Sequence, residues 1–214
     1  NLEIVNLPLS MDVIDYSAFA GCTNLKEINL NEGLQQINTY AFKDCVSLTK
    51  LVFPKTVTKI QEGILSGCSS LQELEITYFN NDVENSYALP FGYLFGTTEY
   101  TGGKLTSQKY KIKNGTAISD ALYKCYIPEA LKKVKVLNQN VVPFGAFSNM
   151  SNLKEIELNN FISFIGQGVF EGCINLEKVI IPFINDDIND QKAKYDFALM
   201  FGSTSLEGTY AVWF

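Results

Sequence analysis

The sequence predicts a solenoid of stacked coils, rich in short parallel β-strands that are closed by short helical or 3₁₀ turns. Three observations predict this fold class. Leucines recur at intervals of 23 residues, and apolar residues follow each of them at three and five residues. A large apolar residue stands 17 residues after the leucine, and a cysteine follows it three residues later in four of the units. Such columns at a fixed period are the signature of a repeat architecture. The first four leucines are Leu2, Leu25, Leu48 and Leu71.

The second unit shows how each coil is expected to fold. Ile28 and Leu30 have the period of two that a half-buried strand requires. A second inward pair, Leu34 and Ile37, follows a turn, and Phe42 lies on the helical turn that closes the coil. Since no unit can bury its own apolar face, neighbouring units must stack on one another.

The pattern returns in the second half of the chain, with new units at Leu131, Leu153 and Leu176. The unit from Leu131 is one residue short, and Met150 replaces its cysteine. The repeat columns therefore predict which side chains form the core. These are Leu25, Ile28, Leu30, Phe42, Cys45, Leu48, Leu51, Leu71, Leu153, Ile156, Leu158, Phe170 and Cys173.

The stretches from Leu25 to Cys45 and from Leu153 to Cys173 resemble the BspA-like leucine-rich repeats, whose units have 23 residues. The resemblance covers most of the chain. It implies a right-handed leucine-rich-repeat solenoid, a β/α superhelix, in a cell-surface or secreted protein. It also implies a role in adhesion or host binding, without naming a ligand.

Two segments interrupt the repeats. The first, residues 77–130, is predicted to be an aromatic-rich insertion between stacked coils, and residues 182–214 are predicted to begin a second, similar insertion. The segment from Tyr93 to Thr98 matches the segment from Leu199 to Thr204. We expect residues 1–214 to form one solenoid. Because the chain begins and ends inside repeats, we also expect it to be a piece of a longer protein.

The first insertion carries the candidate binding residues. Eight lysines lie between positions 104 and 135, where Asp120 and Glu129 are the only acidic residues, and aromatic residues alternate among the lysines. Two interpretations stay open: a ligand-binding excursion on a rigid scaffold, or a strand pair with packed aromatics and solvated lysines. The candidate contacts are Lys109, Tyr110, Lys111 and Lys113, together with the strand positions Lys132, Lys133 and Lys135.

The first strand of each unit carries alternating charges on its solvent face. The third position reads Glu27, Lys50, Glu73, Lys133, Glu155 and Lys178. In a parallel ladder each of these would lie beside its opposite charge. The alternation therefore predicts that the strand after Leu131 stacks directly on the strand after Leu71, with the insertion looped out.

Composition argues against several kinds of chemistry. The chain has a net charge of −6, and all 17 of its basic residues are lysines. Nucleic acid is therefore a poor partner, and the missing histidine removes the commonest general base. We expect no catalytic residues, no metal and no cofactor. The cysteine spacing does not fit a zinc site, so buried thiols are favoured over disulfides. The aspartates at 186, 187 and 190 fit a solvated turn better than a calcium loop.

These features predict a non-enzymatic interaction module of a cell-surface or secreted protein, whose partner is an extracellular protein or glycan. No apolar run is long enough to span a membrane. The first alternative is a passive spacer arm that only projects another domain. The second, less favoured, is a polysaccharide hydrolase that uses paired carboxylates.

Overall fold

The fold is that of a computed structural model, which describes residues 1–77, 89–114, 117–162, 164–181 and 199–202. The second predicted insertion lies outside these residues except for 199–202, and so do the three aspartates considered for calcium. Within the described residues, no helix is long and apolar enough to cross a membrane.

Seven short parallel strands form the first face of the solenoid, one strand in each coil. Coils 1 to 7 are numbered below by these strands. They are β1 (Ile4–Asn6), β3 (Glu27–Asn29), β5 (Lys50–Val52), β7 (Glu73–Ile76), β10 (Lys133–Val136), β12 (Glu155–Leu158) and β14 (Lys178–Ile180). The strands β5, β7, β10, β12 and β14 form one sheet, and β1 and β3 form a separate two-stranded sheet.

A second face is built from strands of two residues each. They are β2 (Val13–Ile14), β4 (Gln36–Ile37), β6 (Lys59–Ile60), β11 (Val141–Val142) and β13 (Phe164–Ile165). The first three pair in one sheet, and the last two pair in another. The corners are mostly turns, with a 3₁₀ helix at Phe91–Leu94. Since helix is almost absent from the described residues, the fold is a parallel β-solenoid, and the predicted β/α superhelix overstated the helical content.

The chain leaves the solenoid between coils 4 and 5 and returns beside the point of departure. Strand β10 pairs in parallel with β7, and Lys133 lies opposite Glu73 in this register. This pairing confirms the predicted stacking of the strand after Leu131 on the strand after Leu71. The excursion is an antiparallel hairpin of β8 (Gly103–Asn114) and β9 (Ala117–Pro128), called the hairpin below.

The corner of coil 4 is supplied by the 3₁₀ helix. The backbone N–H of Leu65 in coil 3 donates to the carbonyl oxygen of Leu94 at 2.8 Å, and the N–H of Phe91 donates to the oxygen of Ala146 in coil 5 at 3.1 Å. The ring of Phe91 also packs against Phe147, with centroids 5.0 Å apart. Coil-to-coil hydrogen bonding at this corner therefore continues past the hairpin.

The charged rows on the first face are largely paired, as parallel neighbours allow. Lys133 Nζ lies 3.3 Å from Glu155, and Lys178 Nζ lies 3.0 Å from the same carboxylate. Lys50 Nζ lies 3.3 Å from the carboxylate of Glu73. The predicted step from Glu27 to Lys50 falls between the two sheets, and Glu27 accepts from its neighbour Asn29 instead. Each such exposed pair contributes only about 0–1 kcal/mol to the free energy of folding. These pairs therefore matter more for the alignment of neighbouring strands than for stability.

The core is a continuous apolar column inside the coils. The predicted core residues lie in it fully buried, apart from Leu30, which is partly buried against it. All five cysteines are free thiols, and only Cys22 is partly exposed. The thiol of Cys68 donates to the carbonyl oxygen of Phe42 at 3.1 Å, one coil away. Cys45 and Cys173 make the same contact with Phe19 and Phe147.

The turn before each cysteine needs a left-handed residue. Gly21 and Gly67 occupy this position with φ of +74° and +79°, and Asp44 occupies it in coil 2 with φ of +58°. A Cβ on Gly67 would overlap the carboxylate of Asp44, whereas a Cβ on Gly21 would meet nothing within 4 Å. The two glycines thus share a conformation but differ in contact with a neighbouring coil.

This difference gives a matched pair of substitutions. The left-handed conformation costs an L-residue about 1–2 kcal/mol, so Gly21→Ala should lower the free energy of unfolding by about that amount. Gly67→Ala should lower it clearly more, because the new methyl group meets Asp44 as well. Urea denaturation measures both, and the excess should shrink when Gly67→Ala is made in an Asp44→Gly background. Equal losses in the two single variants would contradict the described coil contact.

The buried thiols predict an alkaline loss of stability. Burial raises the pKa of Cys45, Cys125 and Cys173 from 9.0 to about 12. Between pH 9 and 12 the unfolded chain therefore binds fewer protons than the folded chain, so the free energy of unfolding falls as pH rises. We expect this fall above pH 9, and a native chain in which Cys22 alone reacts quickly with a thiol reagent. Rapid labelling of all five thiols in the folded chain would contradict the burial.

Candidate interaction surface

The hairpin is seated on the solenoid through the inner face of its base. Its strands pair over twelve residue pairs, from Gly103 opposite Pro128 to Asn114 opposite Ala117. Gln108 and Cys125 are fully buried there, and the side-chain oxygen of Gln108 accepts from the backbone N–H of Gly92 at 2.6 Å. The base of the hairpin is therefore part of the core.

Strand β8 lies along the corners of coils 5 and 6. The backbone N–H of Lys109 donates to the hydroxyl of Ser148 at 2.9 Å, and the side-chain amide of Asn149 donates to the carbonyl oxygen of Ser107 at 2.7 Å. A Cβ on Gly145 would overlap the backbone of Lys109. Glycine at 145 thus permits the strand to approach the corner this closely.

Strand β9 reaches in the opposite direction, to coils 3 and 4. The hydroxyl of Tyr123 donates to Glu62 at 2.6 Å, and its ring lies 6.2 Å from the ring of Tyr93. Burial and the neighbouring carboxylate of Glu62 raise the pKa of Tyr123 above its ordinary value, so its hydroxyl keeps its proton. Contacts of the two strands therefore hold the hairpin against coils 3 to 6.

Two of the lysines predicted to bind a ligand are engaged within the chain. The ammonium of Lys109 lies 2.7 and 2.8 Å from the two carboxylate oxygens of Glu171 in coil 6. Lys111 pairs with Asp120 on the opposite strand and lies 4.3 Å above the ring centroid of Phe144. Lys109 thus fastens the hairpin to the solenoid.

The other predicted contacts are divided between the hairpin and the first face. Tyr110 is half-buried in β8, and Lys113 lies near the end of the same strand. Lys132 donates to the carbonyl oxygen of Glu129 at 2.7 Å. Lys133 and Lys135 belong to the charged rows of the first face, and Lys135 lies 2.7 Å from Glu157. The seven residues therefore do not form one patch.

The outer face of the hairpin exposes residues that the sequence did not single out. Leu105, Leu122 and Ile118 are more than half exposed, and Lys124 is exposed beside them. Residues 103–128 contain five lysines and one aspartate, whereas the whole chain carries a net charge of −6. The hairpin is thus a basic projection on an acidic protein. Because Leu105, Ile118 and Leu122 are apolar, the sequence carried no signal that would place them outward.

The described part of the chain brings together no cluster suited to a metal ion. No three of its cysteine, aspartate or glutamate side chains lie close enough together to hold one. Except for the partly exposed Cys22, the thiols are buried, at the coil corners or on the inner face of the hairpin.

Comparison with known proteins places the repeats in a family. The BspA type leucine rich repeat region matches residues 1–91 and 104–195 in six copies. A search of curated proteins gave no match.

Similar solved structures include two leucine-rich repeat proteins and a pneumococcal antigen. The T. pallidum leucine rich repeat protein TpLRR is 26% identical at a TM-score of 0.45, and the alignment covers 81% of this chain and 64% of that one. A leucine-rich repeat protein from Bacteroides ovatus ATCC 8483 is 18% identical at a TM-score of 0.48, with 86% and 44% covered. The pneumococcal vaccine antigen PcpA is 21% identical at a TM-score of 0.36, with 86% and 40% covered.

The chain thus spans less than two thirds of the length of each of these structures. The six matched copies extend over most of its residues. The chain belongs to the BspA type leucine rich repeat family.

Proposed function

We propose that this chain is a non-enzymatic interaction module of a cell-surface or secreted protein, which adheres to an extracellular macromolecule. The observation that carries the proposal is the basic hairpin held rigidly against an otherwise acidic solenoid. Family membership supports a role in protein interaction, and the similar bacterial proteins include one described as a cell surface protein. A preorganised projection loses little conformational freedom on binding, which favours affinity.

The chemistry of the hairpin favours an acidic partner, either an extracellular protein or a glycan. Complementary charge speeds association and fixes orientation. Lys109 and Lys111 already have partners within the chain. We therefore assign the main contacts to the exposed Lys124 and Leu122 of β9, and we keep Lys113 as a candidate for its charge alone. Tyr110, Lys132, Lys133 and Lys135 remain secondary candidates.

A second candidate function is a passive spacer arm. The observation in its favour is that Lys109, Lys133 and Lys135 each pair with a carboxylate of a neighbouring element. In a spacer, such pairs would serve only to hold the coils and the hairpin in register. Polysaccharide hydrolysis has less support, since many of the described carboxylates are committed to inter-coil pairs of this kind.

A binding screen with charge variants tests the module. The purified chain is measured against extracellular-matrix proteins and acidic glycans at about 0.15 M salt, where contacts between distant surface charges are screened. We expect a saturable partner whose affinity falls at least tenfold in the double variant Lys113→Glu, Lys124→Glu. Lys109 is left intact because its substitution would also release the hairpin from Glu171.

The matched control is the double variant Lys26→Glu, Lys55→Glu, which changes the net charge equally on coils 2 and 3. It should retain the partner's affinity. A folded chain that binds nothing in the panel would favour the spacer arm. Equal losses in the two double variants would show that net charge, and not the hairpin, governs binding.

A further inference from the structure

The second face of coils 1 to 3 carries two rows of outward side chains, and all but one of them are polar. The outward positions of β2, β4 and β6 align Val13, Gln36 and Lys59 by strand register. Just beyond the strands, Asp15, Asn38 and Gln61 form a second row. The single aspartate and the single lysine cancel, so the rows carry no net charge.

Hydrogen bonds within these rows fix the orientation of the amides. Gln36 Nε2 donates to Asn38 Oδ1 at 2.6 Å, and Asn38 Nδ2 donates to Asp15 Oδ1 at 3.3 Å. Gln61 Oε1 accepts from the backbone N–H of Thr39 at 3.0 Å and from its hydroxyl at 2.9 Å. Gln36 Oε1 and Gln61 Nε2 take part in none of the described hydrogen bonds. One acceptor and one donor are thus held in place for a polar ligand.

Two tyrosines border the same face. The rings of Tyr16 and Tyr40 lie 6.1 Å apart at an interplanar angle of 65°, and Tyr16 is 67% exposed. The ammonium of Lys43 lies 5.0 Å above the ring centroid of Tyr40. Exposed tyrosines of this kind combine an apolar ring with a hydroxyl that can reach a polar partner.

The backbone of Tyr40 has the left-handed conformation that this corner of the repeat adopts. Its φ is +59°; at the same place Ser17 of coil 1 has a φ of +54°, and three other coils have the glycines Gly63, Gly145 and Gly168. The conformation therefore belongs to the repeat, although a bulky residue rarely adopts it. Gly63 lies directly beneath the ring, since a Cβ there would come within 2.7 Å of it. Tyrosine at this position is therefore accommodated by the next coil instead of being replaced by glycine.

The spacing of the rows suits a linear polymer. Neighbouring strands lie about 4.8 Å apart, which is close to the length of one pyranose unit. Amide and carboxylate groups hydrogen-bond to sugar hydroxyls, and an aromatic ring packs against the apolar C–H face of a sugar. A chain of sugars along the solenoid axis would meet Asp15, Asn38 and Gln61 in turn, one polar side chain at each coil.

From this arrangement we propose that the second face of coils 1 to 3 binds a linear, neutral polysaccharide along the solenoid axis. Asp15, Gln36, Asn38 and Gln61 contact its hydroxyl groups, and Tyr16 and Tyr40 pack against its sugar rings. The inference deepens the proposed interaction function and rests on its extracellular setting, but it uses a surface other than the hairpin.

Titration calorimetry with neutral glucan, mannan and galactan oligosaccharides of one to six units tests the site. We expect at least one series to bind, with the hexasaccharide at least tenfold tighter than the monosaccharide because it spans several coils. Tyr16→Ser and Gln61→Leu should each weaken the hexasaccharide at least fivefold. Tyr40→Gly should do the same in a folded chain, because glycine accepts the left-handed backbone.

Two control variants test whether sugar binding is specific to this face. Phe161→Ser removes an aromatic residue of similar exposure, 69%, and should leave sugar binding unchanged. The hairpin variant Lys113→Glu, Lys124→Glu should also retain it, so failure of the hairpin proposal and failure of this one are distinguishable. The proposal is overturned if none of the oligosaccharides binds, or if binding survives loss of both tyrosine rings.

Discussion

The parallel hydrogen-bond ladder between coils is the constraint on which the rest of the structure depends. A single coil cannot bury its own apolar face, so every coil must lie in register on its neighbours. Where an insertion interrupts the coils, the chain must therefore leave the solenoid and return to it at the same boundary between two coils. The pairing of β10 with β7 meets this requirement across the hairpin. At the opposite corner, the side-chain amide of Gln139 donates to the carbonyl oxygen of Thr77 at 2.9 Å, so the same boundary is closed on two sides.

Register then determines what each surface can do. On the first face it sets acids beside lysines in adjacent coils, which occupies those charges within the molecule. On the second face of coils 1 to 3 it aligns Asp15, Asn38 and Gln61 at the spacing of the strands. The hairpin differs because it obeys its own antiparallel register, and it can therefore present a basic surface that the coils do not. The repeated register of the coils and the separate register of the hairpin together explain where the candidate surfaces lie.

Much of the fold could be predicted because repeat columns are local in sequence. Leu25, Phe42 and Cys45 recur at fixed offsets, and the alternation that includes Glu73 and Lys133 predicted the neighbours across the insertion. The candidate site was harder to predict from the sequence. The pairing of Lys109 with Glu171, which are 62 residues apart in sequence, depends on how the hairpin lies on the solenoid. The break between β3 and β5 likewise has no signal in the charge pattern, which continues through Glu27 and Lys50.

The central claim, that coils 4 and 5 are direct neighbours despite the hairpin, can be tested by cross-linking. In a Cys22→Ser background, Glu75→Cys and Lys135→Cys are register partners, and adjacent strands about 4.8 Å apart allow a disulfide. Mild oxidation should join them within one chain, whereas the pair Glu75→Cys and Glu157→Cys, about 10 Å apart across two strands, should stay reduced. No cross-link in the first pair, or equal cross-linking in both, would contradict the continuous solenoid.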